Sequence, residues 1–595
     1  MCGIMGYIGD ENAADVIIDG LEELEYRGYD SAGIAVFNGR KTEIVKTVGS
    51  PSGLREKSSG IYGKIGIGHT RWATHGAANE TNAHPHVSQN GLFCVVHNGI
   101  IENHAELKQG LDGVKFRSET DTEVIAQLLE KEYSGDLKGT VGAVMKKLRG
   151  SYALGIMCLD YPDTIVCAKK SSPLFIGTSP ESTYLASDIS AIADKCIRIF
   201  RLNDNEIGII RKDSLKVFDL DGCRIRKNEV RLKAFDKTAD KGGYEHFMLK
   251  EIMEQPSAVR RTLDSFVSEN EVKFKNIKWS REEISQINSI RFVACGSAYH
   301  AGLVGAYAAE QLFGCSARAD IASEFRYMCP HLDKNTLVVI ISQSGETADT
   351  LAALRIAKEK GAKTVSIVNV ENSTIASESD CVLLTKAGRE IAVATTKAYS
   401  AQLALIYLLV IYLAFSSEKI NRKQAEEYIC ELKSIPDKIE SALISSETGR
   451  IPEKILGSNY VCFIGRGFDR CSAEEASLKL KEISYIPCEA YAAGELKHGT
   501  ISLIDDKSLV IALCCSSELN SKTLSNVNEA AARGAKIITV TDENGGGNIK
   551  IPNTFDLFYP LLEIIPLQLI AYHTAKQKGC AIDKPKNLAK SVTVE

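Results

Sequence analysis

The sequence lacks a strong charge of either sign. Its 71 lysine and arginine residues are nearly balanced by 76 aspartate and glutamate residues, so the 595-residue chain has a formal net charge of only −5 at pH 7. A surface that attracts nucleic acid or an anionic membrane needs a concentrated positive charge. We therefore expect no nucleic-acid partner and no membrane partner.

Regular cysteine pairs and long apolar runs are also missing. The 17 cysteines show no repeated C-x-x-C spacing, and no signal peptide precedes Cys2. This pattern indicates a reducing cytoplasm and thiols that are mostly buried. The longest apolar stretch, residues 401–415, is about 15 residues long, short of the roughly 20 that a membrane-spanning helix needs. We predict a cytoplasmic protein in which this stretch is a helix buried between domains.

Histidines are concentrated near the N-terminus, but not at the spacing of metal ligands. They have no i, i+4 pairs that would share one face of a helix, and proline and glycine lie between them. We therefore expect no metal site and no other cofactor. The six residues are His69, His75, His84, His86, His97 and His104.

The pattern of elements changes once along the chain. A length of 595 residues suggests roughly three to five domains. Up to about residue 236, short strands and a few helices indicate packed antiparallel sheets covered by helices. The polar segment KTADKGG (237–243) marks a hinge. Beyond it, strands alternate with helices, which predicts parallel sheets.

The second half is internally duplicated. RFVACGSAYHAG, DIASEFRY, TLVVIISQSGET and GAKTVSIVNV recur in order as YVCFIGRGFDRCS, EAYAAGELKH, SLVIALCCSSEL and GAKIITVTDE, each displaced by roughly 170 residues. Four matching blocks in one order predict two tandem α/β domains of the same fold.

A strand followed by SQSGET (342–347) and a helix predicts an anion site. Backbone N–H groups and hydroxyls at a helix N-terminus favour a phosphate. Plain helix capping by serine and threonine is the alternative. The second copy has CCSSEL (514–519) instead. Because that copy tolerates loss of the glycine and of hydroxyls, their presence in the first copy indicates a function.

Cys2 is a candidate nucleophile. If Met1 is removed, one residue carries both a thiol and a free α-amine, whose pKa of about 7.7–8 lets it accept the thiol proton near neutral pH. The alternative is that Cys2 is simply an early residue of an apolar strand.

Two motifs supply partners for this thiol, HTRWATHG from His69 and HNG from His97. The Asn98 side chain and the Gly99 backbone N–H suit an oxyanion. Arg71 suits a carboxylate, and Asp121 suits an ammonium group. Together they fit an amino acid with a side-chain amide, namely glutamine. Taken singly, an Asn-Gly pair is more often a turn and an arginine a surface charge.

These motifs, with LEYRGYDSAG, SETDTEV, LKLKEISYI, EAYAAGELKHG and the terminal NLAKSVTVE, resemble the glutamine–fructose-6-phosphate aminotransferase family over the whole chain. The resemblance implies an α+β N-terminal-nucleophile (αββα) glutaminase domain followed by two α/β SIS (sugar isomerase) domains with parallel sheets. The implied boundaries are 2–236 for the glutaminase, 237–284 for a linker or hinge, 285–424 and 454–585 for the SIS domains, and 586–595 for a catalytic tail.

The resemblance also implies an activity. Fructose 6-phosphate and glutamine would be converted to glucosamine 6-phosphate and glutamate, the first step towards UDP-N-acetylglucosamine, by a homodimer. In the glutaminase half, Cys2 would form a γ-glutamyl thioester, and Asn98 and Gly99 would form the oxyanion hole. Trp72 would gate the passage of ammonia. Glutamine itself would be held by Arg71, Thr74, His75 and Asp121.

In the isomerase half, Glu482 would move a proton between C1 and C2, His498 of the neighbouring subunit would open the sugar ring, and Lys590 would form a Schiff base. The sugar phosphate would be bound by Ser297, Ser342, Gln343, Ser344, Thr347, Val393, Thr395 and Lys479. On the residues alone, the segment around Glu482 is more typical of a solvated, charged helix face. The tail around Lys590 is usually a frayed end on the same basis, and only the resemblance gives it a role.

The sequence departs from the family pattern at Ala298, Thr395, Thr500 and Lys586. Ala298 lacks a hydroxyl, which would cost about 0.5–1.5 kcal/mol of sugar affinity. Two further hypotheses stay open: an amidotransferase for another sugar phosphate, and a sugar-phosphate sensor with an idle glutaminase half.

Overall fold

The structure, a computed structural model, describes residues 2–25, 28, 30–72, 75–230, 240–328, 330–445 and 449–593. These residues form two units. The first contains the described residues up to 230 together with 591–593, and the second contains residues 240–590.

The first unit is built from fourteen strands and five helices among its described residues. In chain order they are β1 (Gly3–Gly9), α1 (Ala13–Glu23), β2 (Ser31–Phe37), β3 (Thr42–Val48), α2 (Gly53–Lys57), β4 (Ile65–Arg71), β5 (His86–Val87), β6 (Phe93–Ile101), α3 (His104–Gln109), α4 (Asp121–Glu132), α5 (Leu137–Lys147), β7 (Gly150–Cys158), β8 (Ile165–Lys170), β9 (Phe175–Thr178), β10 (Ser182–Ala186), β11 (Arg198–Arg201), β12 (Glu206–Arg211), β13 (Ser214–Phe218) and β14 (Arg224–Ile225). A 3-10 turn spans Ile189–Ala191.

The strands form two seven-stranded antiparallel sheets. The first has the order β11-β9-β10-β1-β4-β2-β3, and the second has the order β14-β13-β12-β8-β7-β6-β5. Strand β1 is buried along its whole length. Its sequence GIMGYIG is apolar or glycine at every position because both of its faces are covered, so no alternation with polar residues is needed.

Four layers cover one another. Ile4 and Ile67 of the first sheet meet Val96 of the second in the core between the sheets. Ile17 and other residues of α1 pack on the outer face of the first sheet. Val124 of α4, with residues of α5, packs on the outer face of the second. This αββα arrangement confirms the predicted fold class of the N-terminal half.

The second unit contains the remaining elements. They are α6 (Phe247–Met253), α7 (Gln255–Asp264), β15 (Val267–Ser268), β16 (Glu271–Val272), α8 (Arg281–Ser285), β17 (Ser289–Ala294), α9 (Gly296–Leu312), β18 (Ser316–Ile321), α10 (Ala322–Tyr327), β19 (Thr336–Ser342), α11 (Ala348–Glu359), β20 (Lys363–Val368), α12 (Thr374–Glu378), β21 (Val382–Leu384), α13 (Lys397–Ser416), α14 (Arg422–Ser445), α15 (Ile451–Leu456), β22 (Tyr460–Gly465), α16 (Phe468–Ser484), β23 (Cys488–Ala492), β24 (Ser508–Leu513), α17 (Asn520–Ala531), β25 (Lys536–Asp542), β26 (Ile549–Ile551) and α18 (Tyr559–Gln577). Shorter 3-10 turns span Ala493–His498, Thr500–Leu503 and Asp556–Phe558.

Two five-stranded parallel sheets repeat one topology. Their orders are β18-β17-β19-β20-β21 and β23-β22-β24-β25-β26, which is 2-1-3-4-5 in each copy. Corresponding strand pairs are parallel in both sheets. The predicted duplication into tandem α/β domains is therefore confirmed. In this topology ligands bind at the carboxyl ends of strands one and three, where the connections diverge to opposite faces.

The two α/β domains share one hydrophobic core. It joins Phe292 and Val339 of the first sheet to Phe463 and Ile511 of the second. Helix α13 contacts α9 of the first domain and α18 of the second, and nearly all of its residues are buried. Among the described residues it is the one helix with the length and hydropathy of a membrane span. The predicted burial of residues 401–415 between domains is confirmed.

The described part of the expected linker, residues 240–284, is folded onto the second unit. Met248, Val259 and Phe274 belong to the shared core. Residues 237–239 of the polar segment 237–243 lie outside the described residues.

Candidate functional site

Cys2 contacts two predicted partners in the first unit, one through its thiol and one through its backbone carbonyl. The Trp72 backbone N–H donates to Cys2 Sγ at 3.3 Å. The Asn98 side-chain Nδ2 donates to the Cys2 carbonyl oxygen at 3.0 Å. Burial raises the pKa of the Cys2 thiol, while the Trp72 N–H and the Arg71 guanidinium oppose that rise. A buried thiol of raised pKa needs a nearby base to become a nucleophile.

Gly99 can be only glycine in this backbone. Its φ is +138°, and an added Cβ would lie 2.0 Å from the Ser151 carbonyl oxygen. This close approach lies in the middle of the β6–β7 pairing, where Gly99 faces Tyr152. Position 99 therefore offers a backbone N–H with no side chain, directly after the Asn98 amide.

The side chain of Asp121 contacts the last residue of the same strand, β6. Asp121 is the first residue of α4, and its Oδ2 accepts the Ile101 N–H at 2.8 Å. The carboxylate is 5% exposed, and His97 Nδ1 lies 3.9 Å from it. Strand β6 thus carries the Asn98 and Gly99 donors and fixes an anionic side chain close by.

Arg71, the last residue of β4, is hydrogen-bonded to the loop that follows this strand. Its guanidinium donates to the carbonyl oxygens of His75, Gly76 and Ala77. Three of its five N–H donors are used in this way, and the side chain is buried. Thr74, a predicted glutamine-binding residue, lies outside the described residues.

The SQSGET loop connects β19 to α11 at the switch point of the first α/β domain. Thr347 is the N-cap residue of α11, but its side chain does not cap the helix. It instead hydrogen-bonds to Ser342 Oγ at 3.1 Å. Gly345 has φ +65°, and a Cβ there would lie 2.0 Å from Ser373 Oγ. The interpretation of this loop as plain capping is therefore wrong for Thr347.

A second helix starts at the same edge. Helix α9 follows β17, which pairs directly with β19, and its N-cap residue Cys295 also makes no side-chain cap. Ser297 is buried in its first turn. Two helix N-termini without side-chain caps therefore start at neighbouring strands, and helix N-termini favour phosphate. Of the other predicted phosphate residues, Gln343 and Ser344 lie half-buried in the loop.

The side chain of Lys479 is completely buried. On α16 it forms ion pairs with Glu482, whose side chain is 20% exposed, and with Glu475 at 3.5 Å. Burial would lower the pKa of Lys479, but these two carboxylates outweigh it and raise the pKa. The interpretation of this segment as a solvated charged face is wrong, because helix α9 of the neighbouring domain covers it.

Glu475 links the two α/β domains. Its Oε2 accepts from His300 Nδ1 at 2.7 Å, and Ser297 also hydrogen-bonds to it. Burial would raise the pKa of Glu475, but Lys479 and His300 lower it overall. Ser297 is thereby connected to Lys479 through one carboxylate.

The amine of Lys590 is buried against a carboxylate. Its ion pair with Glu390 has side chains that are 5% and 0% exposed. Glu390 Oε1 also accepts the N–H groups of Thr396 and Ala398, each at 3.0 Å. Burial would raise the pKa of Glu390, but Lys590 and these N–H groups lower it. The frayed-end interpretation is wrong for Lys590.

A second carboxylate, Glu251, lies beside this ion pair. Its Oε1 accepts from the Ile391 N–H at 2.5 Å, and no described residue hydrogen-bonds to its Oε2. Burial and the charge of Glu390 raise the pKa of Glu251 to about 8.

Three further predicted residues lie elsewhere on the second unit. Val393 is buried, and its N–H donates to the Asp583 carbonyl at 3.0 Å. Thr395 is half-buried. His498 is exposed on a 3-10 turn that packs on β23 and α17. Among the described residues, no hydrogen bond or ion pair joins His498 to Glu482 or Lys590.

The equivalent edge of the second α/β domain is filled by its own carboxylates. Asp469 Oδ2 accepts the N–H groups of Cys515 and Ser516 at 3.2 and 3.3 Å. Asp556 accepts from the N–H and the hydroxyl of Ser517. Asp469 stands four residues after β22, where the first copy has Ala298 four residues after β17. In the second copy the backbone N–H groups of residues 515–517 therefore have carboxylate acceptors from the chain itself.

Four residues of these networks were not predicted from the sequence: Glu390, Glu251, Glu475 and His300. Glu475 could have been found, because Glu475, Lys479 and Glu482 share one face at helical spacing. Glu251 and Glu390 lie far apart in sequence and in no motif. Among the described residues, no cluster of three or more histidine, cysteine or acidic side chains is arranged as a metal site.

Both halves of the chain match known protein families. The glutamine amidotransferase domain family matches residues 69–194, and the SIS domain family matches residues 283–412 and 454–547. The glutamine–fructose-6-phosphate aminotransferase (isomerizing) of Clostridium tetani is 49% identical over 612 aligned positions, covering 100% of both chains. The protein of that name from Pseudomonas aeruginosa is 43% identical with the same coverage.

A solved structure agrees with the second half. The C-terminal domain of glucosamine-fructose-6-phosphate aminotransferase from Francisella tularensis has a TM-score of 0.56 at 39% identity. It covers 58% of this chain, and 100% of that domain is matched. With an amidotransferase domain ahead of two SIS domains, and relatives of one name that match from end to end, the chain belongs to the glutamine–fructose-6-phosphate aminotransferase (isomerizing) family.

Proposed function

We propose that this chain converts fructose 6-phosphate and glutamine to glucosamine 6-phosphate and glutamate. The observation that carries the proposal is the combination of two sites in one chain. A thiol beside amide donors lies in the first unit, and a hydroxyl-lined switch point with a buried lysine–carboxylate network lies in the second. The full-length relatives of this name support the same conclusion.

The first step is hydrolysis of glutamine at Cys2. The thiolate attacks the side-chain amide carbon, and the developing oxyanion is stabilised by Asn98 Nδ2 and the Gly99 N–H. Ammonia leaves, and water hydrolyses the thioester to glutamate. Because burial raises the thiol pKa, the α-amine of Cys2, freed by removal of Met1, serves as the base.

Glutamine is recognised by the charges of its α-carboxylate and its α-ammonium group. The remaining N–H donors of Arg71 bind the α-carboxylate, with Thr74 and His75 beside them, and Asp121 binds the α-ammonium. Trp72, whose N–H contacts the thiol, controls the exit of ammonia.

Amination and isomerisation take place in the second unit. The Ser342–Thr347 loop and Ser297 hold the sugar phosphate, and we assign Val393, Thr395 and Lys479 to the same substrate. Lys590 forms a Schiff base with the sugar carbonyl, and Glu482 transfers the proton between C1 and C2.

We assign ring opening to His498 of a second subunit in a homodimer. The exposure of His498, in contrast to the buried Lys479, supports this assignment. Mixing inactive His498→Ala chains with inactive Glu482→Gln chains should restore activity if the site is shared. No recovery after subunit exchange would argue against it.

We place the enzyme in the cytoplasm.

The decisive assay measures glutamate and glucosamine 6-phosphate together. Cys2→Ala should abolish glutamine-dependent synthesis and retain synthesis from ammonium, and intact mass should show that Met1 is absent. Full glutamine-dependent activity of Cys2→Ala would contradict the proposal. Because Ala298 lacks a hydroxyl, other ketose phosphates belong in the assay, and faster turnover of one of them would identify a different sugar substrate.

A further inference from the structure

The side chain of His69 is fixed between the two sheets of the first unit. Strand β4 pairs with β1 and with β2, so that His69 faces Ile4 on one side and Gly33 on the other. The side chain has no exposed surface. Backbone pairing on both sides leaves the ring little freedom to move.

One ring nitrogen has two acceptors. His69 Nε2 lies 2.9 Å from the His97 carbonyl oxygen and 3.1 Å from Asn98 Oδ1. Both partners are oxygens that accept hydrogen bonds, so Nε2 carries the proton. Burial lowers the pKa of His69 to about 3. The ring is therefore neutral at physiological pH and donates from Nε2.

This donor determines which way the Asn98 amide faces. With Oδ1 held by His69, the Nδ2 end faces the Cys2 carbonyl oxygen at 3.0 Å. A carboxamide rotated by half a turn would present its oxygen in place of its N–H groups. An oxygen there would repel a developing oxyanion. The orientation of the amide therefore determines whether Asn98 stabilises or destabilises the oxyanion.

The ring of His69 is itself held by its neighbours. It stacks on His84 with centroids 4.0 Å apart and planes at 24°. His84 Nδ1 accepts the His97 N–H at 3.4 Å. The peptide segment that carries Asn98 is thus contacted by two stacked imidazoles.

We propose that His69 is a positioning residue for glutamine hydrolysis: it holds the Asn98 carboxamide with Nδ2 directed to the oxyanion. His69 does not touch the substrate. The inference rests on the proposed function and adds a residue to which that function assigns no role.

The test compares two replacements in the full-length enzyme. His69→Phe keeps a flat ring on His84 but removes the donor, and His69→Gln keeps an N–H donor at similar reach. We expect His69→Phe to lower kcat for glutamate release about 100-fold, with KM for glutamine within about threefold, because one oxyanion donor is lost in the transition state. His69→Gln should recover most of kcat. Synthesis from ammonium should be unchanged in both.

A double-mutant cycle gives the sharpest comparison. If His69 acts through Asn98, His69→Phe should cause no further loss of kcat in an Asn98→Ala background. Equal losses in His69→Phe and His69→Gln, additive losses in the double variant, or an unchanged kcat in His69→Phe would each overturn the inference. Absence of glutamate release in the unmodified enzyme would instead overturn the proposed function.

Discussion

The Lys590 ammonium and the Glu390 carboxylate form a buried ion pair that holds the C-terminal tail in the second unit. Two backbone N–H groups fix the carboxylate at the start of α13. The position of Lys590, near the end of the chain, is therefore set by a residue two hundred positions earlier in the sequence.

Removing that carboxylate should detach the tail. In Glu390→Gln the Lys590 ammonium is left without a counter-ion, and breaking one side of a buried ion pair costs about 3–5 kcal/mol. The tail escapes this cost by leaving its site. We expect loss of sugar amination, faster carboxypeptidase digestion of the tail and unchanged glutamate release.

Glu254→Gln is the matched control. Glu254 pairs with the buried Lys397 but is itself 33% exposed, so water can replace it. A similar loss of amination in both variants would show that Glu390 has no special role.

The buried Glu251 should make stability depend on pH. Its pKa is about 8 in the folded chain and near 4.5 when unfolded. Between these values the folded chain keeps a proton that the unfolded chain releases, so its stabilising effect is complete below about pH 4.5 and is lost as the pH rises through about 8. Glu251→Gln mimics the protonated form. Its thermal midpoint should match the unmodified protein near pH 5 and exceed it near pH 9, measured by calorimetry; parallel pH profiles would contradict this assignment.

Gly99→Ala should abolish glutamine hydrolysis. A Cβ at this position lies 2.0 Å from the Ser151 carbonyl oxygen, so the strand must shift and the Gly99 N–H must move. Gly91→Ala is the control, because Gly91 also has a positive φ, +79°, but no atom lies within 4 Å of its added Cβ. That change should cost only about 1–2 kcal/mol of backbone strain. Glutamate release and thermal melting distinguish the two, and full activity of Gly99→Ala would exclude it from the oxyanion site.

Each chain should bind one sugar phosphate. In the first SIS domain the N-termini of α9 and α11 have no side-chain cap, whereas Asp469 and Asp556 accept hydrogen bonds from backbone N–H groups at the corresponding edge of the second. Thr347→Val should weaken fructose 6-phosphate binding about tenfold, since a hydrogen bond to a charged group contributes about 1.5–3 kcal/mol. Ser517→Ala should leave affinity unchanged. Isothermal titration gives both numbers, and two equivalents bound per chain would refute the expectation.

The layers of the fold could be predicted from the sequence, whereas most of the side-chain network of the second unit could not. Short strand pairs, a change of pattern near residue 237 and four repeated blocks predicted packed antiparallel sheets covered by helices and two parallel α/β domains. The family resemblance implied the αββα layers. Cys2, Asn98 and Gly99 could be grouped because oxyanion chemistry needs those groups. Burial of Lys479 could not be foreseen, since a helix from another domain provides it.

The carboxylates Glu251 and Glu390 show a second limit. Their role depends on folding that brings residues 140 positions apart into contact, and single residues outside motifs carry no signal of such a contact. The same holds for Asp469 and Asp556. These two carboxylates accept hydrogen bonds from backbone N–H groups that could otherwise bind an external anion. Only the structure shows this pairing.

Helix α13 has a consequence for synthesis of the chain. Its apolar surface is covered partly by α18, which is made about 140 residues later. While the ribosome translates that interval, this segment, which has the hydropathy of a membrane span, can pack on α7 and α9 but lacks the part of its cover that α18 supplies. We therefore expect nascent chains that stop before residue 559 to be held by chaperones or to aggregate, so this enzyme should resist division into separately expressed SIS domains.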